Sequence, residues 1–176
     1  MQRGVASGGN GFPECVHLTN SVWYKNFTHT PTGSITNGAE FVPEIAYPRE
    51  AMPAVGDVPA STWLSGCNEP NIVAQSNITP ADYLSTWHTI ESNWGGRRLL
   101  SPGMGYAGNL DCPAYGGLPA RTDISGEQWL RDFVTLYTAA YGSGPTFTVL
   151  NFHLYTYPET PTVDWQAATQ AIVALA

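Results

Sequence analysis

The sequence is short of charge, and of positive charge most of all. Seven Lys and Arg stand against fourteen Asp and Glu, a formal net charge of −7, and only 12% of the residues are charged. The basic residues are scattered, with Arg97-Arg98 as the one adjacent pair. An electrostatic footprint for a phosphate backbone is therefore missing, which argues against nucleic acid as a partner. No apolar run approaches the roughly 18 to 20 residues that span a bilayer, so no membrane-spanning helix is expected. Met1-Gln2-Arg3-Gly4 lacks the apolar core of a signal peptide, so any signal is absent or already removed. Three cysteines (Cys15, Cys67, Cys112) are an odd count without metal-like spacing. A Cys15–Cys112 disulfide and buried thiols both stay open. A Gly-rich phosphate loop, a metal-ligand cluster and a Ser/His/Asp signature are also missing, so neither a metal nor a cofactor is called for.

Against these absences, 43% of the residues are hydrophobic, and six Trp and nine Tyr stand beside the few charges. Such a chain buries a core and is not disordered; its length is that of a single domain, residues 1–176. Aromatic rings among few charges suit the binding of flat, uncharged, polar surfaces such as sugars, although they also fill ordinary cores. Two glycosylation sequons, Asn26-Phe27-Thr28 and Asn77-Ile78-Thr79, agree with a secreted, extracellular or cell-wall protein.

The second half carries clear helical signals. Thr79-Pro80-Ala81-Asp82 reads as an N-cap, a first-position Pro and a first-turn acid. Tyr83, Trp87, Ile90 and Trp94 follow at three- and four-residue spacing, and Gly95-Gly96 ends the helix. Ser125-Gly126-Glu127-Gln128 is a second capping box. It leads into Trp129, Phe133, Tyr137 and Tyr141 on one face, with Leu130 and Val134 beside them and Gly142 as the stop. A third helix is predicted from about Asp164, with Trp165, Ala168, Ile172 and Ala176 on its buried side.

Short apolar runs lie between Gly, Pro and Ser at 4–6, 22–24, 40–45, 62–67, 98–101 and 147–155. They are nearly continuous in hydrophobicity, as strands buried on both faces must be. From Thr62 onward strand and helix alternate, which predicts a parallel sheet with crossover helices. The connections of the first half are rich in Gly, Pro, Ser and Thr, and abbreviated or missing helices are expected there. The fold class is thus α/β, of the eight-stranded β/α-barrel type, with six strands identified.

Polar residues gather just after these runs: Asn26, Glu44, Asn68-Glu69, then His153, Tyr155 and Tyr157. In a parallel β/α fold, active sites are built at that end of the strands. Asn68-Glu69-Pro70 is the sharpest signal. A carboxyl group at the end of a buried strand is poorly solvated, which favours the protonated form that a general acid needs. Asn68 can hold a sugar hydroxyl beside the reacting carbon, and Pro70 fixes the turn.

The segment from Thr62 to Pro80, with Cys67-Asn68-Glu69-Pro70 at its centre, closely resembles the fourth strand of glycoside hydrolase family 128, retaining endo-β-1,3-glucanases with carboxylates on strands four and seven. The resemblance continues in order along the chain. Gln2 to Ala6 looks like the first strand, Val22-Trp23-Tyr24-Lys25-Asn26 the second and Glu40 to Pro43 the third. Leu100-Ser101-Pro102-Gly103 looks like the fifth strand, Trp129-Leu130 with Phe133 the following helix, and Phe152-His153-Leu154-Tyr155 the sixth strand.

This resemblance implies that Glu69 is the acid/base and Asn68 its partner at the sugar 2-hydroxyl. It places His153 and Tyr155 in the cleft, makes Trp23, Tyr24 and Asn26 sugar contacts, and adds Tyr106 and Tyr157 from loops. It also implies a β-glucan as substrate or ligand, no cofactor, and a nucleophile on a seventh strand that is not found among the six identified. A complete barrel takes about 250 residues and eight strands. Glu44 and Glu159 are the candidate second carboxylates within the sequence. Self-association or a complementary chain is expected to cover the open edges. The alternative is a non-catalytic carbohydrate-binding or structural protein on the same fold.

Overall fold

The computed structural model describes residues 4–6, 22–31, 38–47, 49–105, 111–112, 121–122 and 125–153. Its frame is a run of short parallel strands. β1 (Gly4–Ala6) pairs with β2 (Trp23–Lys25), and β2 with β3 (Glu40–Phe41). A parallel bridge between Glu44 and Ser65 joins the continuation of β3 to β4 (Trp63–Ser65). β4 pairs with β5 (Arg98–Leu100), and the Leu100–Val149 bridge leads on to the sixth stave. There β6 (Met104–Gly105), which prolongs the fifth stave, pairs with β9 (Phe152–His153). The six staves therefore lie side by side in chain order, all parallel, where the apolar runs were expected.

Between the fifth stave and the second helix lies an antiparallel pair, β7 (Asp111–Cys112) and β8 (Arg121–Thr122), which the sequence did not announce. Two-residue strands carry no readable alternation.

Helix α1 (Leu84–Trp94) begins four residues later than the cap motif suggested, because 80–83 form a separate turn. The cap itself is made: Thr79 Oγ1 accepts the Asp82 amide at 3.2 Å, and Tyr83 N–H donates to Thr79 O at 3.2 Å. Gly95 ends the helix with its N–H on Glu91 O.

Helix α2 (Gly126–Tyr141) is capped by Ser125, whose hydroxyl accepts the Gln128 amide at 3.1 Å. It ends on Gly142 at φ 79°, a left-handed position that suits glycine. The apolar faces of both helices cover the strands. Tyr83, Trp87, Ile90 and Trp94 pack with Trp129, Leu130, Phe133 and Tyr137 against Leu64, Leu99 and Met104. The Trp129 and Phe133 rings stack at 5.3 Å, and the indole N–H of Trp129 donates to Ile78 O at 2.8 Å.

Two face assignments are corrected. Tyr141 and Val134 are exposed: Val134 turns off the face that carries Phe133 and Tyr137, and Tyr141, the last residue of α2, stacks on His88 at 4.2 Å. In the first half, the one helical element among the described residues is a 3-10 turn at Val55–Asp57. The third predicted helix, Tyr155, Tyr157, Glu159, Tyr106 and Cys15 lie outside the described residues.

Candidate active site

β4 and its continuation place Glu69. Beyond Ser65 the chain stays beside the fifth stave: Gly66 N–H donates to Leu100 O, Gly103 N–H to Cys67 O, and Glu69 N–H to Gly103 O at 2.6 Å. A parallel bridge pairs Asn68 with Gly103. At Glu69 the backbone turns sharply, with φ 42°. A left-handed conformation at a residue with a full side chain costs on the order of 1–3 kcal/mol and persists only where the surroundings impose it. Here Pro70 supplies the fixed φ of the next position, and Ile72 N–H closes the turn on Glu69 O at 3.1 Å.

The Glu69 side chain that this turn presents is buried, and its Oε1 lies 3.0 Å from His153 Nδ1. His153 comes from the end of the sixth stave, 84 positions away in sequence. Its ring has room because position 103 is glycine: a Cβ there would lie 2.7 Å from Nε2 and 2.9 Å from Cε1. At this distance the imidazole and the carboxyl group are hydrogen-bonded.

Asn68 lies beside Glu69, also buried. Its Nδ2 donates to Gln75 Oε1 at 3.1 Å, and its backbone carbonyl accepts the Ser76 hydroxyl. Its buried Oδ1 has no donor among the described residues. The structure therefore gathers three of the predicted residues, Asn68, Glu69 and His153, at the C-terminal ends of staves four to six.

The other predicted residues among those described are placed elsewhere. Trp23 and Lys25 face the interior of the strand array, where they line a hollow of about 290 Å³ with Trp63, Leu100, Val149 and Asn151. Tyr24 alternates to the other face and packs on Phe41, ring centroids 5.2 Å apart. Asn26 is buried in its own loop: Nδ2 donates to Thr30 O at 2.8 Å, and Oδ1 accepts the Thr28 amide. That burial argues against the first sequon as an acceptor.

Glu44 is not brought to Glu69. It is completely buried and ion-paired with Lys25 at 2.7 Å. It also stands level with Ser65, four residues short of Glu69 along the neighbouring stave, which is on the order of 10 Å at strand rise. A retaining pair needs about 5 Å.

Two residues near the site carried no usable signal in sequence. Lys25, the partner of Glu44, is visible only once the strand register is known. Asn71, completely buried, donates to Gly105 O at 2.8 Å and accepts from Gly105 N–H at 3.0 Å. In sequence it reads as an ordinary turn residue. Behind the site, burial pushes the Cys67 thiol well above the usual thiol range, with the Glu44 charge adding to the effect. Among the described residues, no group of three or more His, Cys, Asp or Glu is placed to hold a metal ion, and no helix is long and apolar enough to cross a membrane.

Parallel staves in chain order, helices on their outer face and a buried carboxyl closing the fourth stave define a TIM-barrel-like glycosidase fold. The chain belongs to the glycosyl hydrolase catalytic core family, whose model matches residues 14–171. Solved structures similar in fold include an endo-β-1,3-glucanase of glycoside hydrolase family 128, subgroup II, from Sorangium cellulosum (TM-score 0.71, 23% identity, 97% of this chain and 68% of that one). A subgroup I endo-β-1,3-glucanase from Amycolatopsis mediterranei, in complex with laminaritriose, matches with TM-score 0.66 and 22% identity over 98% of this chain. A curdlan-specific exo-β-1,3-glucanase of subgroup III from Blastomyces gilchristii, in complex with glucose, matches with TM-score 0.71 and 20% identity over 98% of this chain. The chain spans 66% of the Amycolatopsis protein's length and 67% of the Blastomyces protein's. No curated protein sequence matches it.

Proposed function

We propose that the protein hydrolyses β-1,3-glucan with Glu69 as general acid/base. The observation that carries this reading is the Glu69 carboxyl group: buried, held on a left-handed turn at the end of the fourth stave, and 3.0 Å from His153. Strained backbone that presents a buried ionisable group is expensive, and such strain concentrates where geometry serves chemistry. Glu69 donates its proton to the glycosidic oxygen as a second carboxylate attacks the anomeric carbon and the bond breaks, then takes a proton from the water that displaces that carboxylate. Asn68 Oδ1, without a donor of its own among the described residues, offers an acceptor to a sugar hydroxyl. The laminari-oligosaccharide and glucose complexes of structures with this fold support a β-glucan as the ligand.

A second reading, glycan binding without cleavage, is favoured by the commitment of Glu44 to Lys25. It leaves Glu159 as the other candidate second carboxylate within the chain, and Glu159 lies outside the described residues. Release of reducing sugar from laminarin, abolished in Glu69→Gln, is the result expected of the hydrolase. Saturable binding of laminarin without release sustains the second reading instead.

The same proposal takes residues 1–176 as one domain, secreted or held at the cell wall, with the outer edges of β1 and β9 covered by further strands or a second copy. Unpaired strand edges favour such covering. A compact monomer in solution scattering counts against the second copy.

A further inference from the structure

The Asn71 side chain and the Gly105 backbone face each other like two strand residues: the amide N–H of each donates to the carbonyl of the other, at 2.8 and 3.0 Å. Gly105 is in turn the register partner of His153 in the β6–β9 pair. His153 reaches Glu69, and Glu69 lies two residues before Asn71. These four residues form a closed ring of contacts around the carboxyl group.

The approach is close. A Cβ at Gly105 would lie 2.8 Å from Ile72 Cγ1 and 3.5 Å from the Glu69 carboxyl carbon. From the other side Gly126, at the start of α2, allows Met104 and Gly105 to press against the helix: a Cβ there would lie 2.7 Å from Met104 Cβ and 2.8 Å from Gly105 O. Gly105 is thus fixed on two sides, and the Asn71 clasp sets how far the loop of Glu69 stands from the stave that carries His153.

We infer that Asn71 is a positioning residue that sets the Glu69–His153 distance through Gly105. The inference rests on the reading of Glu69 as the acid. A primary amide suits the role because it supplies one donor and one acceptor in the spacing of a peptide group. An ionised carboxylate has two acceptors and would turn one of them against Gly105 O. A protonated carboxyl group again has one of each.

Asn71→Asp, nearly isosteric, is the discriminating variant. At neutral pH its kcat on laminarin is expected at least tenfold below wild type, with KM within threefold. The ratio of variant to wild-type kcat should rise as the pH falls and the new carboxyl group takes up its proton. In 15N-edited NMR, the proton shared by His153 Nδ1 and Glu69, assigned with His153→Gln, should be protected in wild type and lost to exchange in Asn71→Asp at neutral pH. Wild-type kcat with an unchanged shared-proton signal overturns the inference, and so does a loss of kcat that acid leaves unrelieved. If wild type releases no sugar, the reading of Glu69 as acid fails by itself. The NMR signal alone then decides the clasp: loss in the variant upholds it, and retention overturns it. Should Asn71→Asp not fold, Gly105→Ala keeps Asn71 and presses a methyl group onto Ile72. It should lose the same signal, and its retention overturns the inference.

Discussion

His153 Nδ1 stands 3.0 Å from Glu69 Oε1, although the two residues are 84 positions apart in sequence. One lies at the end of the sixth stave and the other at the end of the fourth. The fifth stave runs between them, and its Gly103 leaves the space in which they meet.

Gly103→Ala should break that pairing without unfolding the protein. The added Cβ would fall 2.7 Å from His153 Nε2 and 3.0 Å from Asn151 Nδ2, so the imidazole must shift. The expected outcome is a fall of about tenfold to a hundredfold in kcat, the lower range of what a positioned acid/base contributes. Far-UV circular dichroism should not change. Wild-type turnover in this variant would show that the His153 position is immaterial.

Cys67 should be chemically silent in the folded protein. Its thiol is fully buried, and burial holds it well above the usual thiol range, so the reactive thiolate is scarce at pH 8. In a Cys15→Ser/Cys112→Ser background, a disulfide-exchange reagent should label no thiol in native protein and one in denaturant. Rapid native labelling would contradict the packing of β4 against α1.

Glu40 should contribute stability that acid removes. Burial acts to raise its pKa, yet hydrogen bonds from the Thr62 amide, the Thr62 side chain and the Ser61 hydroxyl outweigh it, and the net shift is downward from 4.5. A carboxyl group whose folded pKa lies below the unfolded one stabilises the fold above the unfolded value. That stability is lost as the pH falls through the folded value. Glu40→Gln should therefore melt earlier than wild type at pH 7, and the gap should close on acidification below about pH 4.5. A gap independent of pH would assign the effect to packing alone.

The frame was legible in the sequence because burial leaves a period. Tyr83, Trp87, Ile90 and Trp94 recur at helical spacing, and all four are buried. The apolar runs fell on the staves, although Val22 in the second and Val149 in the sixth stay exposed. Glu69 was legible as the polar residue that closes such a run, with Pro70 after it at the turn. Its surroundings were not. The pairings of Lys25 with Glu44, Asn71 with Gly105 and His153 with Glu69 depend on strand register, which the apolar pattern leaves open. Tyr24 shows the same gap. It sits between Trp23 and Lys25 in sequence, but strand alternation turns it away from both and onto Phe41.

The central claim is that Glu69 delivers the proton to the departing sugar. The most direct test compares Glu69→Ala on two substrates in the first turnover: laminarin, whose leaving group needs that proton, and a dinitrophenyl β-glucoside, whose leaving group does not. The variant is expected to lose about a hundredfold or more on laminarin, the contribution typical of general acid catalysis, and to keep most of its rate on the activated glycoside. Equal loss on both substrates, or full activity on laminarin, would contradict the assignment of Glu69.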